Sequence, residues 1–183
     1  MKILAFAGMP ASGKTEAVQI AKSYNIPVIR MGDVVWEEVK NRGLKLNDKN
    51  VGTIADQMRN EQGKDIWARR TLDKIKSLKK SELIVIDGIR NVEEIDFFKK
   101  ELGDDFSVIA IEASSKIRQK RVMKRGREDD SNDIRDIKER DRREIGWGLD
   151  VVISSADVIV PNEGSLDDFH NRIKNLLHEF LKR

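Results

Sequence analysis

Ile3-Leu4-Ala5-Phe6-Ala7-Gly8-Met9-Pro10-Ala11-Ser12-Gly13-Lys14-Thr15 decides how the rest of the chain is read. An apolar run ends at Gly8, and a helical pattern covers residues 15–23. Residues 8–15 fit G-x-x-x-x-G-K-[ST] at every fixed position, in the strand–turn–helix setting that the motif requires. Gly8 and Gly13 let the backbone curl, with Met9, Pro10, Ala11 and Ser12 between them supplying inward N–H groups. Those donors and the positive end of the next helix suit a polyphosphate. Lys14 is placed to reach the β- and γ-phosphates, and Thr15 to set its hydroxyl on Mg²⁺. ATP as co-substrate and Mg²⁺ are the expected small partners.

Working outward, apolar strands alternate with helical stretches. Strands are expected at 27–29, 83–86, 107–111 and 158–160. Helices are expected at 33–42, 47–62, 64–80, from Asn91 to about 103, across a charged region from 114 to about 154, and at 166–181. Asp33 reads as the cap of the first of these, and Asn91 with Glu94 as a capping-box-like start. Such alternation implies a parallel sheet covered on both faces. The expected fold is α/β: a three-layer P-loop NTPase with a five-stranded parallel sheet, a helical acceptor-binding insertion and a short lid. One domain would then span 1–183. Its core is 1–29, 81–113 and 155–183, the insertion 30–80 and the lid 114–146.

Composition narrows the function classes. The chain has 183 residues, 37% of them charged, with a net charge of +3. It has no cysteine, which excludes a disulfide scaffold, thiol catalysis and cysteine-based zinc or iron–sulfur sites. No apolar run approaches the roughly 18 residues of a membrane span, and the N-terminal apolar run is too short for a signal peptide. A cytoplasmic protein with no membrane partner is expected.

Further chemistry-bearing residues lie at strand ends. Leu83-Ile84-Val85-Ile86-Asp87-Gly88-Ile89-Arg90 puts an acid at the end of a buried strand, the edge where open α/β sheets bind ligands. Asp87 can hold Mg²⁺ opposite Thr15, and Arg90 can turn a guanidinium fork towards a phosphate. Arg30-Met31-Gly32-Asp33 follows the second strand. Arg30 is a further anion-binding candidate. Asp33 is a candidate general base, should the acceptor be a hydroxyl.

Residues 114–146 carry 12 Lys+Arg and 8 Asp+Glu, against 23 and 24 elsewhere, so the whole positive excess lies there. Arg121 and Arg125 share a helical face, and Arg127, Arg140 and Arg143 follow. These arginines are candidates to close over the triphosphate, Arg127 and Arg140 on the transferring group. A solvated face laced with i,i+4 pairs such as Arg135–Glu139 is the other reading. Interleaved acids, and no aromatics alternating with the bases, count against nucleic acid. His170 and His178 read as surface or packing residues, and Trp147 as a core or hinge contact.

These motifs carry a resemblance. Gly32-Asp33 and Asp87-Gly88-Ile89-Arg90 resemble the acceptor-side elements of nucleoside monophosphate kinases. Arg127-Glu128-Asp129-Asp130 resembles an adenylate kinase lid. Asn162-Glu163-Gly164-Ser165-Leu166 resembles the turn beside the adenine in dephospho-CoA kinases, which implicates Asn162 and Gly164 in ATP binding. Nearly end to end, the chain looks most like an archaeal family of adenylate-kinase-related, dephospho-CoA-kinase-like P-loop proteins. Trp36 stands where adenylate kinases have an acceptor arginine, so the resemblance points away from adenosine monophosphate. It implies an ATP-dependent phosphotransferase acting on a small nucleotide-like or phosphorylated metabolite. A regulatory ATPase acting on a protein or RNA partner is the alternative. The absence of N-K-x-D and L-S-G-G-Q signatures counts against a switch GTPase and a transporter ATPase.

Overall fold

The computed structural model describes residues 1–78, 81–125 and 134–182. Five strands, β1 (Lys2–Ala7), β2 (Val28–Arg30), β3 (Leu83–Asp87), β4 (Phe106–Glu112) and β5 (Val158–Pro161), form one sheet in the order β2-β3-β1-β4-β5. Every pairing is parallel. Phe6 of β1 is in register with Asp87 of β3, and Ile111 of β4 with Val160 of β5. The strand ends therefore gather the loop after β1, the acid of β3 and the turn after β5 along one edge.

The helices are α1 (Lys14–Ser23), α2 (Met31–Asn41), α3 (Asp48–Gln62), α4 (Ile66–Ser77), α5 (Val92–Leu102), α6 (Ser115–Arg125), α7 (Ile134–Gly146), α8 (Leu149–Ser154) and α9 (Leu166–Lys182). Alternate residues of each buried strand face opposite sides, because the side-chain period of a strand is two. Ile3, Ala5, Ala7, Ile84 and Ile86 pack towards α2–α5 and α8. Leu4, Phe6, Leu83 and Val85 pack towards α1 and α9. Two cores on one sheet explain why these strands read as continuous apolar runs.

The α/β expectation and the five-stranded parallel sheet hold. Some boundaries differ. The second helix starts at Met31, with Arg30 in the cap position, so Gly32-Asp33 lies inside its first turn. Asp33 is not the cap. An acid in a first turn still suits the helix dipole, which is why the sequence looked like a start one turn late. The charged region from 114 to 154 divides into α6, α7 and α8, with Gly148 at φ 97° turning the chain between the last two. The Asn91 cap forms as expected, its Oδ1 accepting from the Glu94 N–H at 2.8 Å. The Glu94 carboxylate reaches one residue further back than a capping box does, accepting from the Arg90 N–H at 2.8 Å.

Candidate active site

The loop after β1 folds as its sequence requires. Gly8 has φ 151° and Gly13 φ 119°, and Ala11 at φ 61° completes the curl. A Cβ at Gly8 would strike the Ile111 carbonyl, and one at Gly13 would strike the Asn162 side-chain amide. The loop is thus pressed against the ends of β4 and β5 as well as curled. Ser12 is buried, and Met9 packs on the core. The Lys14 ammonium donates to the Gly8 carbonyl and, at 3.2 Å, to that of Met9. Desolvation, then the nearby Arg90, Arg140 and Arg118 cations, lower its pKa to about 8, against an opposing pull from Asp87.

A cavity of about 700 Å³ opens above this loop, within the size range of small-molecule sites. Gly8, Pro10, Ala11, Gly13, Lys14, Thr15, Arg30, Asp87, Arg90, Arg121, Arg140, Asn162 and Gly164 all line it, as do Glu16 and Glu144. Residues nominated from five separate stretches of sequence therefore share one space. Asp33 does not line it. Its half-exposed carboxylate lies 3.7 Å from the Arg30 guanidinium, which also sits 4.0 Å from Asp87 and 5.5 Å over the Trp36 ring. As a base, Asp33 would have to act from outside the cavity. Arg127 and the side chain of Arg125 lie outside the described residues.

The helices beyond β4 grip the loop from behind. Arg118, 5% exposed, makes a two-pronged ion pair with Asp141 at 2.8 and 2.7 Å and donates to the Pro10 carbonyl at 3.1 Å. Arg121 donates to the Ser12 carbonyl at 3.1 Å and to Asn162 Oδ1 at 3.0 Å, and the Asn162 amide donates back to the Ser12 carbonyl at 2.8 Å. Arg121 and Asn162 thus brace the loop as well as lining the cavity. His170 meets Glu16 at 2.6 Å, and His178 packs edge-on to Tyr24, both structural placements.

Also lining the cavity, Arg90 is ion-paired with Glu144 of α7, whose side chain is 4% exposed. Burial lowers the Arg90 pKa to about 10, with Glu94 pulling the other way and Arg59 adding to the fall. Glu94, fully buried, accepts from Arg59 at 3.3 Å. Burial raises its pKa, opposed first by the Arg59 cation. Trp147 carries three guanidinium groups over its ring, those of Arg59, Arg90 and Arg143, at 5.5, 5.6 and 5.7 Å. Glu144, Arg59, Glu94, Arg118 and Asp141 were not read from the sequence as site residues. The one available signal was the Asn91–Glu94 spacing, which marks a helix start and not a buried acid.

This P-loop geometry agrees with the chain's relatives. An AAA domain family model matches residues 7–138. The UPF0200 protein Mbar_A0975 of Methanosarcina barkeri is 45% identical over 183 residues, covering 100% of this chain and 98% of the relative. A UPF0200/UPF0201 protein of Archaeoglobus fulgidus is 46% identical, and the chain spans only 57% of that longer relative. Among solved structures, TT1252 from Thermus thermophilus aligns with TM-score 0.68 at 20% identity, covering 97% of each chain. A gluconokinase from Sinorhizobium meliloti aligns with TM-score 0.63 at 14% identity, over 99% of this chain and 94% of that one. Shikimate kinase from Aquifex aeolicus gives 0.52 at 18%, over 96% of each. At these identities the solved structures speak for the fold alone. The chain belongs to the UPF0200 family and carries an AAA-type P-loop domain.

Proposed function

We propose that the protein is an ATP- and Mg²⁺-dependent phosphotransferase acting on a small anionic acceptor. The observation that carries this reading is the shared cavity. Lys14, Thr15, Arg30, Asp87, Arg90 and Arg140 all line it. Beyond the nucleotide a hydrolase needs room only for water, whereas about 700 Å³ lined by several cations suits a triphosphate and a second charged molecule. The kinase folds among the structural neighbours support the same reading.

Each residue then has a task. The loop N–H groups and Lys14 hold the phosphates. Arg140 neutralises charge on the transferring group, and Arg121 and Asn162 keep the loop in shape beside the base. Thr15 and Asp87 offer a hydroxyl and a carboxylate, hard oxygen ligands that would hold Mg²⁺. When bound, the ion would supply charge neutralisation for the transfer. Arg30 and Arg90 hold the acceptor's own negative group. The acceptor oxygen attacks the γ-phosphorus, the bond to the β-bridging oxygen breaks, and ADP leaves. A phosphate acceptor arrives already ionised and needs no base. This matches a cavity that Asp33 does not line.

A thermal-shift screen of nucleotides and phosphorylated metabolites, each with and without a non-hydrolysable ATP analogue and Mg²⁺, tests the reading. Stabilisation by the analogue together with one class of anionic metabolite is expected. Stabilisation by the analogue alone would turn the reading towards an ATPase.

A further inference from the structure

Three residues of one helix face three different parts of the site. Arg140 lines the cavity, Asp141 holds Arg118 against the Pro10 carbonyl of the phosphate loop, and Glu144 holds Arg90. They fall within five residues of α7, on successive turns. The helix is therefore tied at one point to the donor side and at another to the acceptor side.

The pairing at Arg90 is unusual in its balance. Glu144 is 3% exposed, whereas the Arg90 side chain with which it pairs is 36% exposed and faces the cavity. A carboxylate from the chain itself therefore occupies the guanidinium nominated for the acceptor's anion. Behind this pair, Arg59 donates to Glu94 and lies over the ring of Trp147, the residue immediately after α7. The insertion, through α3, and the α7–α8 turn thus meet on one indole ring.

We infer that Glu144 is an internal stand-in for the anionic group of the acceptor, and that acceptor binding displaces it from Arg90 and releases α7 towards the donor side. This rests on the phosphotransferase reading above and adds to it the residue that sets acceptor selection. An acceptor must bring an oxyanion able to replace a carboxylate. A neutral hydroxyl compound leaves the latch closed and α7 in place. Such competition lowers the apparent affinity for the acceptor by the fraction of time the latch is open, and it makes acceptor binding and the position of Arg140 reciprocal.

The test uses the full chain. Wild type, Glu144→Gln and Arg90→Ala are first titrated with Mg²⁺ and a non-hydrolysable ATP analogue, which fills the phosphate loop. Inorganic phosphate and acetate are then added separately and followed by Trp147 fluorescence, with Trp147→Phe identifying the signal. The two anions distinguish a phosphorylated acceptor from a carboxylic one. Glu144→Gln is expected to bind at least one anion about tenfold more tightly than wild type, a usual scale for coupling between sites. Arg90→Ala is expected to lose the response. Hydrogen exchange across residues 137–146 of wild type should rise when the anion is added, a readout that requires no substitution.

Equal or weaker anion binding in Glu144→Gln, which a purely structural role would produce, overturns the latch. So does a response that survives Arg90→Ala, or exchange in α7 that ignores the anion. Failure of the ATP analogue to bind would remove the phosphotransferase reading separately. The anion titrations are then run without it, and dependence on Arg90 still decides.

Discussion

The parts of this cavity proposed above as its donor side and its acceptor side are built by different means. The donor side is one stretch of backbone, residues 8–15, shaped by Gly8 and Gly13 and buttressed by Arg118, Arg121 and Asn162. The acceptor side has no such stretch. Arg30 comes from the end of β2, Arg90 from the turn before α5, Arg59 from α3, and Glu144 and Trp147 from α7 and the turn after it. Backbone donors have fixed places once the loop is folded. Side-chain cations paired to carboxylates can exchange partners. The contrast suits a common phosphate donor opposite a selective acceptor site.

The largest effect expected from breaking this contrast is at Lys14. Lys14→Ala should lower ATP turnover by at least about 10²-fold, on the scale of other charge contacts to the transferring phosphoryl group, while circular dichroism shows an intact fold. Arg118→Ala should come next. It leaves Asp141 without its partner near the protein interior, and breaking a buried pair costs about 3 kcal/mol, readable by urea unfolding. Nucleotide affinity should fall with it, because the Pro10 carbonyl loses its donor.

Lys14 also sharpens the comparison through stability. Its pKa is lowered in the folded chain to about 8, so the ammonium is less favoured there than in the unfolded chain. The unfolded state then binds more protons between about pH 8 and the ordinary lysine value, and stability rises with pH across that window. Lys14→Met removes the penalty while keeping the stem. It should raise Tm by about 2 °C or more at pH 7, since 1 kcal/mol moves a domain of this size by about that much. The gain should shrink as pH climbs above about 8. A function-bearing residue that costs stability is expected on the donor side, where the cation is held for phosphate. The smallest effect concerns Asp33. Its carboxylate lies outside the cavity, so Asp33→Asn should change steady-state turnover by less than about tenfold, below the range usual for losing a general base.

The same contrast explains what could be read in advance. Residues 8–15 are contiguous, and their glycines are required by φ and by close packing, so a local pattern sufficed. Asp87 was legible because a buried strand in a parallel sheet ends at the ligand edge. The five strands were legible from apolar runs whose alternate residues feed two cores. Glu144 and Arg59 could not be found this way. Each looks like one more charge on a heavily charged helix, and only packing shows that Glu144 is buried against Arg90 and Arg59 against Trp147. Asp33 misled as a helix cap for the opposite reason. Gly-Asp after a strand looks like a helix entrance, but the helix begins two residues earlier, with Arg30 in the cap position.

The central claim is that one cavity passes a phosphoryl group from ATP to a second molecule. The most direct measurement is transfer of label. Full-length protein, Mg²⁺ and ATP labelled at the γ-phosphate are incubated with a metabolite extract, and the labelled species are separated. Label is expected in a small anionic product, in proportion to ADP formed, and absent with Lys14→Ala. ADP forming at the same rate with all label recovered as inorganic phosphate would contradict the claim.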